Sequence, residues 1–347
     1  TVVLVGRTDQ RPTDRDPREP NRPRPSRQPE VVLVGPAPTP KDRAAWAAAT
    51  DAWALTLVPD VNSLSAGLRP LANRLAGRSI GLVLAGGGAR ALSHIGIINE
   101  LEDAGLQIDR VAGTSMGAIL AGAYAVGMNG AELEATAYGG MVRRQPFSDW
   151  RLPTTSLARG RRTEAMLQEA LGADEVIEGL PRQLRVASVD LVSRTRVIHA
   201  RGNLVHALLA SSRLPAIFAP IPQDDGRLLI DGGILDNLPT DVWTQRDEGP
   251  VLAVHIGTGS ERRRTGPPPV PALGETLVRI MTIGSGGASQ AAQRLGAWVI
   301  EPSTLGVGLL EFHQMDLLVE AGRAAARALL EQTGGDLGLL GQPGPSA

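Results

Sequence analysis

The sequence contains no cysteine among its 347 residues. This absence excludes disulfide bonds, thiolate nucleophiles, iron–sulfur clusters and zinc sites of the cysteine type. Histidine is scarce as well, with five residues available as nitrogen ligands or general bases. Redox and metal chemistry built on cysteine sulfur is therefore excluded for this chain.

An excess of charge of one sign is also absent. The chain has 35 basic and 36 acidic side chains, which leave a formal net charge of -1. A nucleic-acid-binding protein driven by bulk positive charge needs a basic excess that this composition lacks. We therefore expect no nucleic-acid partner.

Long apolar runs are missing too. A membrane-spanning helix needs about 20 consecutive apolar residues, and the longest candidate, residues 118–128, is about half that length and is interrupted by glycine. The sequence therefore predicts no helix that spans a membrane. The chain starts at Thr1, inside a strand-like run and without an initiating methionine, so we interpret it as the C-terminal part of a longer protein.

Glycine and proline, in contrast, are abundant, with 41 and 26 residues. An Arg/Pro-rich stretch over residues 7–29 has almost no apolar side chain that could offset its ordering entropy. We predict a lead-in region over 1–78 that contains this stretch as a disordered loop. A main domain over 79–332 and a disordered Gly/Pro-rich tail over 333–347 complete the predicted organisation.

Strand-like and helix-like segments alternate along the chain. In the lead-in region we predict paired strands at 1–5 and 31–34, a helix followed by a strand within 46–57, and an amphipathic helix over 61–76. In the main domain, the predicted strands are 80–85, 110–112, 184–190, 195–199, 228–230, 251–256 and 297–300, and the predicted helices are 92–104, 116–126, 162–171, 204–211, 273–281 and 315–332. This alternation predicts an α/β fold with a mostly parallel sheet covered by helices on both faces.

One candidate nucleophile stands at a strand-to-helix junction. Residues 113–117 read Gly-Thr-Ser-Met-Gly and match G-x-S-x-G, in which small flanking residues let the hydroxyl of Ser115 project from a sharp turn. An apolar strand precedes the motif and a helix start follows it. The positive end of that helix dipole would face charge that develops near the serine.

The general base for Ser115 can be a histidine or a carboxylate. In the usual α/β-hydrolase order the histidine comes last, which leaves His255 and His313 as candidates. The alternative is Asp231, which follows an apolar strand and precedes Gly232 and Gly233; its plainer interpretation is an acid in a tight turn.

A second glycine turn, Gly86-Gly87-Gly88, follows the first strand of the main domain. It can be a tight turn, a phosphate-binding loop, or an oxyanion hole whose backbone N–H groups stabilise an acyl-transfer intermediate.

Together and in this order, the three motifs resemble the patatin-like phospholipases, and within them the bacterial relatives of neuropathy target esterase. The run 86–90 resembles the glycine-rich motif of the family, 113–117 its nucleophile elbow, and 230–239 the stretch around its acid motif. The resemblance covers roughly 79–332, with a weaker likeness over 31–77. It implies a three-layer patatin-like fold for the main domain.

The resemblance also implies roles for individual residues. Ser115 would be the nucleophile and Asp231 the general base of a Ser–Asp dyad that needs no histidine, metal or cofactor. The implied oxyanion hole is Gly86, Gly87 and Gly88, and the implied supporting residues are Arg90, Gly113, Gly117, Gly232 and Gly233. For Arg90 we favour a structural role over a contact with a lipid phosphate. Ala91 departs from the family pattern, which usually has glycine there.

The expected activity is calcium-independent hydrolysis of acyl esters of (lyso)phospholipids or related lipids. Two alternatives remain open: a Ser-His-Asp α/β-hydrolase, and a non-catalytic lipid-binding or regulatory module. The resemblance also implies peripheral contact with a membrane, a location in the cytoplasm or on the cytoplasmic membrane face, and, if the chain is a fragment, cyclic-nucleotide-binding or membrane domains upstream.

Overall fold

The computed structural model describes residues 3–9, 28–144, 146, 149, 155–244, 246–256, 270, 276, 286–304 and 306–335. Most of the loop predicted over 7–29 lies outside the described residues, as does most of the tail predicted over 333–347. The helix predicted over 273–281 lies outside them as well, apart from Thr276.

A small parallel sheet forms the first part of the chain. Its strands are β1 (Val3–Arg7), β2 (Glu30–Val34) and β3 (Ala54–Val58), in that order. Helix α1 (Pro40–Thr50) connects β2 to β3, and its N-cap is Thr39, whose hydroxyl accepts the N–H of Asp42. Helix α2 (Leu64–Leu75) leads into the main domain. The predicted strand pairing, helix–strand pair and amphipathic helix are confirmed; the domain boundary at 78/79 stays a prediction.

An eight-stranded mixed sheet forms the centre of the main domain. Its strands are β4 (Ile80–Leu84), β5 (Ile108–Thr114), β6 (Gln183–Asp190), β7 (Thr195–His199), β8 (Ile221–Pro222), β9 (Leu228–Asp231), β10 (Val251–Val254) and β11 (Trp298–Ile300). The order β11-β10-β4-β5-β6 is parallel throughout, and β7, β8 and β9 pair antiparallel. The predicted α/β class is therefore confirmed.

Helices cover both faces of this sheet. They are α3 (Ser93–Asp103), α4 (Met116–Ala125), α5 (Gly130–Ala137), α6 (Arg161–Leu171), α7 (Leu204–Ser211), α8 (Asp241–Thr244), α9 (Ala288–Arg294) and α10 (Met315–Gln332). Every residue of α4 is buried, so this helix shows none of the polar spacing of a surface helix. Helix α3 packs along α10, and both contribute to one continuous apolar core.

None of the described helices is long and apolar enough to cross a membrane.

The edges of β6 determine which strand ends meet. Strand β5 pairs with residues 183–187 of β6 and β7 pairs with residues 186–190, so β5 and β7 lie on opposite edges. Strand β9 pairs with residues 188–190 and must share the edge of β5, because β7 occupies the other edge. Thr114 lies opposite Ala187, and Asp231 lies opposite Ser188. The ends of β5 and β9 therefore meet at two consecutive positions of β6.

Candidate active site

Ser115 occupies a strained turn between β5 and α4. Its backbone angles are φ 55 and ψ −127, which a residue with a side chain rarely adopts. Glycine is required on both sides: a Cβ on Gly117 would lie 2.3 Å from the Leu84 carbonyl oxygen, and a Cβ on Gly113 would lie 2.6 Å from Gly117. The predicted elbow geometry is thus present, and Ser115 remains half-buried at its tip.

Asp231 lies against the hydroxyl of Ser115. The Ser115 hydroxyl donates to Asp231 Oδ2 at 2.7 Å, and the Gly233 N–H donates to Oδ1 at 2.8 Å. Asp231 is 2% exposed. Burial raises the pKa of Asp231 to about 6, although the two hydrogen bonds act in the opposite direction. The dyad implied by the resemblance is therefore in hydrogen-bonding contact.

Gly232 allows Asp231 to approach the elbow this closely. A Cβ on Gly232 would lie 2.4 Å from the Ala187 carbonyl oxygen and 2.9 Å from the Thr114 side chain. Since both neighbours belong to the strands that carry the site, a larger residue would force β9 away from β5. Gly232 and Gly233 thus have distinct effects, one steric and one through its N–H group.

Ser211, at the end of α7, fixes the backbone of the elbow. Its fully buried hydroxyl accepts the Ser115 N–H at 2.8 Å and donates to the Ala187 carbonyl at 2.6 Å. The sequence analysis missed this residue. In the sequence, Ser211 is recognisable only as a serine at the end of the apolar run of α7. That position does not indicate which groups its hydroxyl contacts.

The glycine turn lies beside the nucleophile. A Cβ on Gly86 would lie 2.9 Å from the Ser115 Cβ. The Gly86 N–H already donates to Asn237 Oδ1 at 3.1 Å, whereas within the described part of the chain the N–H groups of Gly87 and Gly88 have no acceptor. The oxyanion hole predicted at Gly86, Gly87 and Gly88 stays a prediction, and because the N–H of Gly86 is already used, its available donors are the N–H groups of Gly87 and Gly88.

Asn237 holds this turn in place. Its side-chain oxygen accepts the Gly86 N–H, and its Nδ2 donates to the Gly86 carbonyl at 3.1 Å. A buried amide that satisfies both backbone groups of one residue fixes its orientation. Sequence reasoning included Asn237 in the stretch 230–239 but assigned it no role.

Arg90 and Ala91 follow the turn. The Arg90 Nε donates to the Val307 carbonyl at 2.6 Å, and the neighbouring Ala89 N–H donates to the Leu309 carbonyl at 2.8 Å. These bonds attach the segment 307–309 to the turn and support the structural role of Arg90. Ala91 is fully buried, and the main core accommodates its methyl group at the position where the family usually has glycine.

None of the imidazole groups in the described ranges contacts Ser115. His94 Nε2 donates to the Ala85 carbonyl at 2.8 Å, and burial lowers the pKa of His94 to about 4. His199 bonds Ser188, and His206 bonds Gln223. His255 lies with Ser289 and Glu301 beyond β10, and His313 lies in a 3₁₀ turn before α10. The geometry therefore does not support a Ser-His-Asp triad.

Asp231 is the carboxylate beside Ser115, and its two oxygens accept hydrogen bonds from Ser115 and Gly233. In the described ranges, no three histidine, aspartate or glutamate side chains are grouped as metal ligands. The geometry is that of a hydroxyl, a carboxylate and free N–H groups, a set suited to acyl transfer.

Comparison with known proteins agrees with this geometry. The family model for patatin-like phospholipase matches residues 82–243. This range contains the glycine turn, the elbow and the acid motif.

The chain is also similar to individual proteins. An uncharacterised NTE family protein of Mycobacterium tuberculosis is 37% identical over 287 residues, which cover 77% of this chain and 49% of that protein. Lysophospholipase NTE1 of Candida glabrata is 29% identical over 75% of this chain and 16% of its own length. The crystal structure of VipD from Legionella pneumophila has a TM-score of 0.44 at 16% identity, over 73% of this chain and 67% of that one.

The present chain spans about half the length of the mycobacterial relative and a smaller part of the yeast one. The motifs of the site and the family match coincide in the same stretch of chain. Residues 82–243 therefore form a patatin-like phospholipase domain.

Proposed function

We propose that this chain hydrolyses acyl ester bonds of (lyso)phospholipids or related lipids through a dyad of Ser115 and Asp231. The observation that carries the proposal is the 2.7 Å hydrogen bond from the Ser115 hydroxyl to Asp231 at a strained elbow. A serine hydroxyl needs an adjacent base to act as a nucleophile, and Asp231 is the base in reach.

The first half-reaction forms an acyl-enzyme. The Ser115 oxygen attacks the ester carbonyl carbon while Asp231 Oδ2 takes the hydroxyl proton. The resulting tetrahedral oxyanion accepts hydrogen bonds from the Gly87 and Gly88 N–H groups. When the intermediate collapses, the alcohol leaves with the proton from Asp231.

The second half-reaction releases the fatty acid. Water attacks the acyl carbon, Asp231 takes a proton from that water, and the collapse of the second intermediate returns the proton to Ser115. No step requires a metal ion, which is why we propose a calcium-independent activity.

The raised pKa of Asp231 makes this carboxylate a stronger base than an ordinary aspartate, whose pKa is about 3.9. With a pKa of about 6 the group is mostly ionised at pH 7. We expect kcat/KM to rise as the pH increases through about 6 and to level off above it. A pH–rate profile measures this directly.

An apolar cavity of about 270 Å³ supports a substrate with an acyl chain. Helix α4, which begins immediately after Ser115, contributes Ile119, Leu120 and Ala123 to its wall. Ile119 is four residues from Ser115, or about 6 Å along the helix axis. We propose that an acyl chain bound there places its ester group near Ser115.

The test is hydrolysis of lysophosphatidylcholine, phosphatidylcholine and short-chain nitrophenyl esters by wild type and Ser115→Ala. We expect the variant to lose about a thousandfold or more in kcat. Ser212→Ala is the matched control, because its half-buried hydroxyl donates to the Leu208 carbonyl instead of contacting the dyad. It should retain wild-type rates.

The outcomes separate the alternatives. Full activity in Ser115→Ala would refute the serine-hydrolase mechanism. A wild type that binds lipid, hydrolyses no ester and resists fluorophosphonate labelling would favour the lipid-binding module. Peripheral membrane contact and a cytoplasmic location are part of the proposal, and cosedimentation with phospholipid vesicles tests the contact.

A further inference from the structure

A second cavity, of about 130 Å³, lies between the small sheet and the main domain. Residues from both contribute to its wall, including Trp53 and Leu55 on one side and Gln183, Arg185 and Arg201 on the other. The wall residues that belong to β6 lie at the start of that strand, whereas the candidate active site lies beside residues 187 and 188. The cavity is therefore separate from the dyad.

Arg185 is a buried charged residue of the cavity wall. The residue is 8% exposed, and its guanidinium lies between two rings, 4.8 Å from the centre of Trp53 and 5.2 Å from that of Trp243. Its hydrogen bond runs from Nη1 to the Leu184 carbonyl at 2.9 Å. Burial lowers the pKa of Arg185 to about 10, so the group still carries its charge at neutral pH.

The surrounding arginines have acidic partners. Arg43 pairs with Glu175, Arg201 pairs with Asp51, and Arg110 and Arg246 share Glu248.

Arg185 differs from these neighbours. No carboxylate of the described residues lies within ion-pair distance of its guanidinium, although Glu248 acts on it from further away. Glu178, the acid in the cavity wall, accepts the Gly202 N–H. A buried charge without a partner is costly, and the cavity provides room for a mobile anion to serve as that partner.

Gln183 adds a second requirement. Its Nε2 donates to the Trp53 carbonyl, and its buried Oε1 has no partner among the described residues. An occupant that satisfies both Arg185 and Gln183 must present anionic oxygens and one hydrogen-bond donor. Inorganic phosphate carries an O–H group at neutral pH, and so does the monoanionic form of a phosphate monoester, so both meet these requirements, whereas sulfate lacks the donor.

We propose that this cavity binds a phosphate group, either inorganic phosphate or the phosphoryl group of a small monoester. Arg185 supplies the cation and Gln183 accepts from the phosphate O–H. Because the cavity wall comes from both parts of the chain, bound phosphate holds the small sheet against the main domain. Its volume admits several water molecules and limits the occupant to a small headgroup.

The test is titration of the full chain with sodium phosphate at constant ionic strength, followed by calorimetry and thermal unfolding. We expect saturable binding and a rise in Tm that saturates with it. Sodium sulfate should bind more weakly. Glycerol 3-phosphate distinguishes a phosphate monoester from inorganic phosphate as the occupant. If it binds as tightly as inorganic phosphate, the cavity accepts a monoester; if it does not bind, the occupant is inorganic phosphate.

Three variants locate the site. Arg185→Gln should weaken phosphate binding by roughly tenfold to a hundredfold. Ala200→Leu fills the cavity without removing a charge, so it gives the same loss even if Arg185→Gln does not fold. The control is Arg182→Gln, which removes an arginine stacked 3.8 Å from the Tyr124 ring, outside the cavity, and should bind phosphate as the wild type does.

The proposal is overturned if phosphate at constant ionic strength neither binds nor raises Tm. It is equally overturned if Ala200→Leu and Arg185→Gln bind phosphate like the wild type. Because the cavity is separate from the dyad, neither result bears on the proposed hydrolytic activity, which is measured independently.

Discussion

Replacing Asp231 with asparagine should stabilise the fold while it removes activity. Burial raises the pKa of Asp231 from 3.8 to about 6, a shift of about two units. At about 1.4 kcal/mol per unit, the ionised carboxylate costs the folded protein about 3 kcal/mol above pH 6. The amide has no such cost. It also keeps both contacts, because its oxygen accepts from Gly233 and its nitrogen donates to the Ser115 oxygen.

The stabilisation should depend on pH in a defined direction. Below pH 4 the carboxyl is protonated in both the folded and the unfolded state, so the variant has no advantage. Between pH 4 and 6 the unfolded chain ionises while the folded chain stays neutral, and the stability of the wild type falls as the pH rises. Above pH 6 the difference levels off at its full value, and at pH 5 it should be about half.

Urea unfolding of both proteins at pH 5, 6, 7 and 8 measures this difference, provided that the transition is two-state at each pH. We expect Asp231→Asn to be more stable at pH 8 and the gain to shrink toward pH 5. Equal stability at pH 8, or a gain that does not change with pH, would refute the assigned cost of burying this carboxylate.

Three further predictions concern the neighbours of the dyad. Asn237→Ala frees both backbone groups of Gly86 and should lower kcat by about tenfold to a hundredfold with little change in KM, measured by steady-state kinetics. Gly117→Ala places a methyl group 2.3 Å from the Leu84 carbonyl oxygen and should lower Tm by several degrees or prevent folding, measured by circular dichroism. Ala123→Leu partly fills the apolar cavity and should slow hydrolysis of long-chain esters while short-chain rates stay unchanged; equal slowing of both would place the acyl chain elsewhere.

The elbow at Ser115 was predictable because its signal is local. A strand, the spacing of Gly113 and Gly117, and a helix start lie within a dozen residues. The same holds for the glycine turn and for most strands and helices. Strand β5 begins earlier than predicted, at Ile108 instead of Arg110, because the polar Asp109 looks like a turn residue. The side chains that pair with Asp109 and Arg110, Asn73 and Glu248, lie elsewhere in the sequence.

The contacts across the sheet were not predictable from residue order. Sequence order left His255, His313 and Asp231 as competing bases, and pairing of β9 with the edge of β6 brings Asp231 to Ser115. Ser211 and Asn237 act through hydrogen bonds to backbone groups of Ser115 and Gly86, which lie 96 and 151 residues away in the sequence. Such contacts leave no periodic pattern in a sequence. The family resemblance indicated Asp231 as the base, and its hydrogen bond to Ser115 explains how this carboxylate could act as one.

The most direct test of the central claim is mass-spectrometric mapping of a fluorophosphonate adduct on the wild-type chain, with Asp231→Asn beside it. The account predicts one adduct, on Ser115, that forms faster as the pH rises through about 6 and is lost or strongly slowed in Asp231→Asn. Labelling of Ser115 at the same rate in both proteins would contradict Asp231 as the base. An adduct on another residue, or none, would contradict Ser115 as the nucleophile.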